Sequence, residues 1–178
     1  MGRPKALLRV NGETFMALTV RALRVGGCEP VLVVVADGEH ALAAEAEAAG
    51  ARVLTNPVPG EGPITSLRLA LAALGDSVAG FAYLPVDHPM VRADTVATLL
   101  KTARAAGASL TVPTHDGKRG HPAIFGATLF GELADPALEG GARTVVHRHL
   151  PRAVLVEVAD AGVLTDIDTP EAYEAAVR

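Results

Sequence analysis

Asp87 ends an apolar run, Gly80–Val86 (GFAYLPV), and is followed after His88 by a proline that fixes the exit turn. A carboxylate at the end of an apolar strand suits a hard cation such as Mg²⁺, which takes one or two carboxylates, keeps several waters and bridges to phosphate oxygens. Asp168, in the run Asp166-Ile167-Asp168-Thr169-Pro170, could supply a second carboxylate. On pattern alone both residues serve equally as helix caps or turn formers. His88 reads as a packing or hydrogen-bonding residue, because no second histidine stands at ligand spacing. His121, His147 and His149 form no zinc pattern.

Two short stretches pair cations with proline or glycine. Arg3 and Lys5 flank Pro4 ahead of the apolar pair Leu7-Leu8, and Asn11-Gly12 then marks a tight turn. Two cations beside a rigid proline could hold phosphates, or could be solvated surface charges. Lys118-Arg119 lies within Asp116-Gly117-Lys118-Arg119-Gly120-His121-Pro122, where glycines on either side let backbone approach a ligand. An exposed hairpin loop is the plainer reading of that stretch.

These residues need a scaffold, and the chain alternates β-branched runs with Ala/Leu-rich ones. Strands are expected at Pro30–Ala36, Ala51–Thr55, Gly80–Val86, Ser109–Pro113 and Ala153–Val158, with another at His121–Phe125. Helices are expected at Phe15–Val25, Glu39–Ala49, Ser66–Leu74 and Arg92–Ala106, each stopping on glycine, and at Pro170–Val177. The alternation predicts an α/β fold: one domain with a doubly wound, mostly parallel sheet of Rossmann-like type. Ligands then bind outside the carboxyl ends of the strands. Asp37-Gly38, Asn56 with the loop NPVPGEGP, Asp87-His88-Pro89 and the Asp166–Pro170 run collect at that edge. Thr65 or Ser66 is the expected cap of the helix that follows the loop.

Composition narrows the class. The 178 residues are 49% hydrophobic and 20% charged, which suits one globular domain. A net charge of −4 argues against a nucleic-acid surface but leaves a nucleotide substrate open. No apolar run reaches the ~18–20 residues of a membrane span. No secretory leader is visible, and the lone Cys28 offers neither a disulfide nor a zinc site, so the cytoplasm is the expected compartment. Without G-x-G-x-x-G or CxxC, and with only 3% aromatic residues, a redox enzyme is unattractive.

Taken together, MG-x-PK-x-LL at the start, Asn56 with Gly60 to Ser66, Asp87-x-Pro89, G-x-RGHP-x-x-F at Gly117–Phe125, GAR at Gly141–Arg143 and DIDTPE at Asp166–Glu171 occur in one order. In this the chain resembles the molybdenum-cofactor nucleotidyltransferases, most of all their molybdopterin cytidylyltransferase branch. The resemblance implies transfer of a nucleoside monophosphate from a triphosphate, CTP before GTP, to molybdopterin, with release of pyrophosphate. It implies Lys5 and Asp87 as catalytic residues, and Arg3, Lys5, Asn56, Gly60 and Ser66 on the nucleotide side. Arg119, Gly120, His121, Pro122 and Arg143 would face a phosphorylated pterin-type acceptor, and Asp87 and Asp168 would hold Mg²⁺. A molybdoenzyme or its chaperone is the protein partner such an activity suggests. Another phosphorylated acceptor, or a non-catalytic cofactor-binding accessory role, are the alternatives. Members of that family place an apolar strand and a glycine-rich loop of the type LAAG-x-S-x-R ahead of MG-x-PK. Residues 1–178 are therefore expected to form a nucleotidyltransferase-like domain lacking that strand and loop, with poor nucleotide affinity.

Overall fold

The computed structural model describes residues 4–75 and 78–177. After a 3₁₀ turn at Lys5–Leu7, strands β1 (Arg9–Val10) and β2 (Glu13–Thr14) form a small hairpin. Its turn residues Asn11 and Gly12 have φ of 52° and 86°, the left-handed pair that the Asn-Gly sequence supplies. Helix α1 (Phe15–Val25) follows, capped by the Thr14 hydroxyl, which accepts from the Ala17 amide at 3.0 Å. It buries Phe15, Met16, Thr19, Val20 and Ala22, one face at helical spacing. At its end, a Cβ on Gly26 would meet the Val96 side chain at 2.5 Å, so glycine sets how closely α1 approaches the later helix α4 (Ala93–Ala106).

Strand β3 (Leu32–Ala36), helix α2 (His40–Ala48) and strand β4 (Arg52–Asn56) make a βαβ unit, with parallel pairing from Leu32↔Arg52 to Ala36↔Asn56. Helix α3 (Pro63–Leu74) leads to β5 (Gly80–Tyr83), and α4 leads to β6 (Leu110–His115). Strands β7 (Lys118–Arg119) and β8 (Ala123–Gly126), helices α5 (Phe130–Ala134) and α6 (Gly141–His149), strand β9 (Val154–Glu157) and helix α7 (Pro170–Ala176) complete the order. The main sheet runs β5-β8-β6-β7, with β9 beside β6. Strand β8 is antiparallel to both its neighbours, while β9 is parallel to β6. The fold is α/β as expected, with a mixed sheet.

Three departures have local causes. The strand expected over Gly80–Val86 stops at Tyr83, because Pro85 has no N–H to give a ladder and its carbonyl instead takes the His88 amide at 3.1 Å. Helix α3 starts at Pro63 rather than at a Thr65 or Ser66 cap, since proline fits a first helical turn and the two hydroxyls are held by Asn56. Helices α5 and α6 were not expected. In α6 the run Arg143–His149 is mostly polar, and the helix has only nine residues, opened by Gly140-Gly141, so it is too short and polar to stand out.

The core is in three clusters. The largest joins Leu110, Val112, Phe125, Leu133 and Val145 across the main sheet and its helices. A second, with Met16, Val20, Val31 and Ala46, lies under the βαβ unit. A third unites Val10, Phe15 and Ile167. Among the described residues β3 pairs only with β4, and β5 only with β8. Between β3 and β5 runs an apolar slot of about 610 Å³, walled by Val33, Val35, Leu74, Phe81, Val86 and Leu100. Cys28 also lines it, and burial pushes that thiol up to about 11.

Candidate functional site

The Asp-Ile-Asp run explains itself once folded. Ile167 is fully buried against Val10 and Phe15, and its amide donates to the Asp87 carbonyl at 2.9 Å. In an extended segment neighbouring side chains alternate in direction, so anchoring Ile167 inward leaves Asp166 and Asp168 exposed on the outer side. One backbone hydrogen bond thus brings the C-terminal carboxylates to the end of the β5 segment.

Lys5 reaches the same place from the other end of the chain. Its 3₁₀ turn is closed by the Leu7 and Leu8 amides donating to the Pro4 and Lys5 carbonyls at 3.0 and 2.9 Å, and Ala6 is buried beneath it. The Lys5 ammonium pairs with the Asp168 carboxylate. That hydrogen bond raises the Lys5 pKa, helped by the charges of Asp168, Asp87 and Asp166, and holds Asp168 below its ordinary value. Both groups are well exposed, so the pair is screened and adds little to stability.

Asp87, His88 and Asp166 each offer one ligand atom, and the three atoms lie within 4.8 Å of one another. The Asp87 Oδ1 and the His88 Nδ1 are buried with no hydrogen-bond partner among the described residues. A buried polar atom left unpaired costs about 1–3 kcal/mol, so its presence signals a missing donor or cation. Burial raises the Asp166 pKa, and the neighbouring charges of Asp87 and Asp168 raise it further. Three carboxylates and one ammonium therefore share one cleft with excess negative charge. Asp168, expected beside Asp87 as a ligand, stands outside the three-atom group and carries Lys5 instead. Asp166 is inside it, although in sequence the Asp-Ile-Asp alternation is all that marks it.

Asn56, at the end of β4, is almost fully buried. Its Oδ1 accepts from the Val58 amide at 2.9 Å, and its Nδ2 donates to the Thr65 and Ser66 hydroxyls at 2.9 and 3.1 Å. It shapes the loop over residues 57–66, which leaves Gly60 exposed on the 3₁₀ turn Pro59–Glu61. Arg3 lies outside the described residues.

On the other side of Tyr83 and Pro85 opens a second concavity, of about 760 Å³. Arg119, Gly120, His121 and Arg143 all line it, with Tyr83, Gly141 and His147, whereas Pro122 is buried behind it. Gly120 is needed here: its amide donates to the Pro113 carbonyl at 3.0 Å, and a Cβ would collide with the Val163 carbonyl. The adjacent His121 amide donates to that same carbonyl at 2.9 Å. The His121 and His88 rings lie 4.6 Å apart. Burial, then the neighbouring His88, lower His121 to about 4, so its ring is neutral at physiological pH. Arg119 and Arg143 remain exposed at the rim. The ensemble is an acidic cation-type cleft with a lysine, adjoining a pocket with two arginines at its mouth, which suits polyanionic ligands on both sides.

Known proteins share this fold. Residues 1–154 match the MobA-like NTP transferase domain. A probable molybdenum cofactor guanylyltransferase of Mycolicibacterium paratuberculosis is 26% identical over 163 residues, covering 90% of this chain and 76% of that protein. A 2-C-methyl-D-erythritol 4-phosphate cytidylyltransferase of Saccharopolyspora erythraea is 36% identical over 116 residues, 63% of this chain and 51% of that one. Rv0371c of Mycobacterium tuberculosis H37Rv superposes with a TM-score of 0.85 at 26% identity, over 99% of this chain and 90% of that one. Its complex with manganese superposes with a TM-score of 0.78 at 26% identity, over 99% of this chain and 92% of that one. The chain belongs to the MobA-like NTP transferase family and is an enzyme of that class.

Proposed function

We propose that the chain transfers a nucleoside monophosphate from a nucleoside triphosphate to a phosphorylated pterin, molybdopterin, with release of pyrophosphate. The observation that carries the reading is the convergence of Lys5, Asp87, Asp166 and Asp168 at one cleft beside the Arg119–Arg143 pocket. An oxygen of the acceptor phosphate attacks the α-phosphorus, that new P–O bond forms, and the bond to the β-phosphate oxygen breaks. Such a reaction asks the protein mainly for positioning and charge neutralisation. The orphaned Asp87 Oδ1 and the nearby Asp166 carboxylate fit a divalent cation, Mg²⁺ in the simplest case. When bound, that cation would neutralise phosphate charge and favour departure of pyrophosphate.

Lys5 is held by Asp168 until phosphate oxygens compete for it, so Asp168 keeps the ammonium charged and aimed at the cleft. Asn56 and Ser66 hold the loop that borders the nucleotide, with Gly60 at its exposed tip. Arg119, Gly120, His121 and Arg143 shape the acceptor side, and Pro122 supports it from behind. The name of the Mycolicibacterium paratuberculosis relative favours GTP as donor, and the RGHP run, through its resemblance to the cytidylyl branch, favours CTP. We read the β3–β5 slot as the seat of one further apolar strand, whose loop would add backbone N–H groups for the phosphates. No helix among the described residues is long and apolar enough to cross a membrane, and we place the reaction in the cytoplasm, next to a molybdoenzyme or its chaperone.

Calorimetric titration with GTP and CTP, each with Mg²⁺, tests this on the 178-residue chain and on a version carrying an added N-terminal apolar strand and glycine-rich loop. Binding of one nucleotide that strengthens in the extended form is the expected result. If neither form binds either nucleotide, the transferase reading of this chain fails, and a non-catalytic cofactor-binding role takes its place.

A further inference from the structure

We propose that His88 is a third ligand of the Asp87–Asp166 cation site, and that its imidazole makes the site prefer an ion of the Mn²⁺ class over Mg²⁺. The inference rests on the transferase reading only in placing a cation at Asp87. The sequence gives no histidine at ligand spacing, so His88 looks like a packing residue, and its burial agrees with packing. Packing leaves one fact without a cause: His88 is only 8% exposed, yet its Nδ1 has no hydrogen-bond partner among the described residues. The ring it lies against, His121, is a tilted contact at 4.6 Å between centroids.

The His88 backbone is fixed in a turn, its amide donating to Pro85 at 3.1 Å and its carbonyl accepting from Val91 at 3.5 Å. The ring is therefore held where it offers a nitrogen within 4.8 Å of the Asp87 and Asp166 oxygens. Two carboxylates alone make an all-oxygen site of the kind Mg²⁺ accepts while keeping its waters. Replacing one of those waters by imidazole nitrogen costs Mg²⁺ a ligand it prefers. It favours transition ions, in the order in which their affinity for nitrogen donors rises.

The test uses the full 178-residue chain, stripped with chelator and free of nucleotide. Mn²⁺ binding is followed by electron paramagnetic resonance, with Mg²⁺ as competitor, in the wild type, His88→Gln and Asp87→Asn. The wild type is expected to bind Mn²⁺ at one site with ¹⁴N modulation from an imidazole ligand, converted to the ¹⁵N pattern when histidine is ¹⁵N-labelled. His88→Gln should lose that modulation, and its Mn²⁺ affinity should fall about 10–100-fold, at least what loss of an outer-sphere partner costs, with Mg²⁺ affinity little changed. Asp87→Asn should weaken both ions. Mn²⁺ bound without nitrogen coupling, or an unaltered Mn²⁺-to-Mg²⁺ ratio in His88→Gln, overturns the proposal but leaves the carboxylate site and the transferase reading intact. Failure of the wild type to bind either ion overturns both. The labelled wild-type spectrum decides the matter even where a variant does not fold.

Discussion

The strands β6 and β3 are built from similar residues and end up in different surroundings. Every residue of β6 from Leu110 to Thr114 is buried, and so are Ala123, Ile124 and Phe125 of β8. In β3 (LVVVA) only Val35 is buried, and all four residues of β5 are half-exposed. β-Branched side chains suit a strand in either place, so the difference lies in the neighbours. Strand β6 has partners on both edges and helices over it, whereas β3 and β5 face each other across the slot. The molecule therefore has a finished half and an open half, and the cleft with Lys5 and Asp87 lies where they meet. Strand propensity fixes where a strand forms, while its partners decide how much stability it returns.

The sharpest way to break that contrast is truncation on each side. Phe125 is fully buried and stacks on Phe81 with centroids 5.1 Å apart. Phe125→Ala should cost about 3–5 kcal/mol, whereas Val34→Ala, a half-buried wall of the slot, should cost about 1 kcal/mol or less. Urea unfolding of the two variants measures both; since Phe→Ala removes six carbons and Val→Ala two, a Val34→Ala loss above about a third of the Phe125→Ala loss would show that the open half is packed as tightly. Next in size is Asp87→Asn, which keeps the shape of the seam and removes its central charge. Nucleotidyl transfer should fall on the order of 100-fold or more with an unchanged melting temperature; a variant that melts early would make Asp87 structural instead. Gly120→Ala belongs to the finished half, where a Cβ meets backbone that cannot move away. It should cost about 1–3 kcal/mol in thermal unfolding and weaken acceptor binding more than nucleotide binding. The smallest effect is in the open half. With the Cys28 thiol near 11 through burial, the neutral thiol dominates below that pH. Alkylation by iodoacetamide should therefore rise about tenfold per pH unit towards it, as the thiolate fraction does. A rate already flat at pH 9 would mean that the slot admits water freely.

Much of this was legible in the residues. The α1 boundaries, the Asn11-Gly12 hairpin and the strand–helix alternation follow from caps, turn residues and apolar spacing. The edge at which Asn56, Asp87 and the Asp166–Pro170 run collect follows from strand direction. Which aspartate meets which partner did not, because Asp166 and Asp168 differ in sequence only by one Ile167 between them. Their roles separate when a buried side chain fixes the register and Lys5 arrives from a distant turn. Helix α6 and the pocket it borders were hidden for another reason: a nine-residue helix that begins on glycine and packs only Ala142, Val145 and Val146 inward is short and polar overall. The slot is a property of two strands that lie apart in sequence, and no local pattern encodes it.

The Lys5–Asp168 contact, with the Tyr173 hydroxyl donating to the Arg9 carbonyl at 2.8 Å, also sets a schedule. On the ribosome Asp168 is made 163 residues after Lys5. At about 5–20 residues per second, the lysine waits on the order of ten seconds or more for its carboxylate partner. Until then the early βαβ unit can fold locally, and the cleft has Lys5 and Asp87 in place but neither C-terminal carboxylate. A nascent chain stalled before residue 168 would thus be folded in part and lack the carboxylate that holds Lys5.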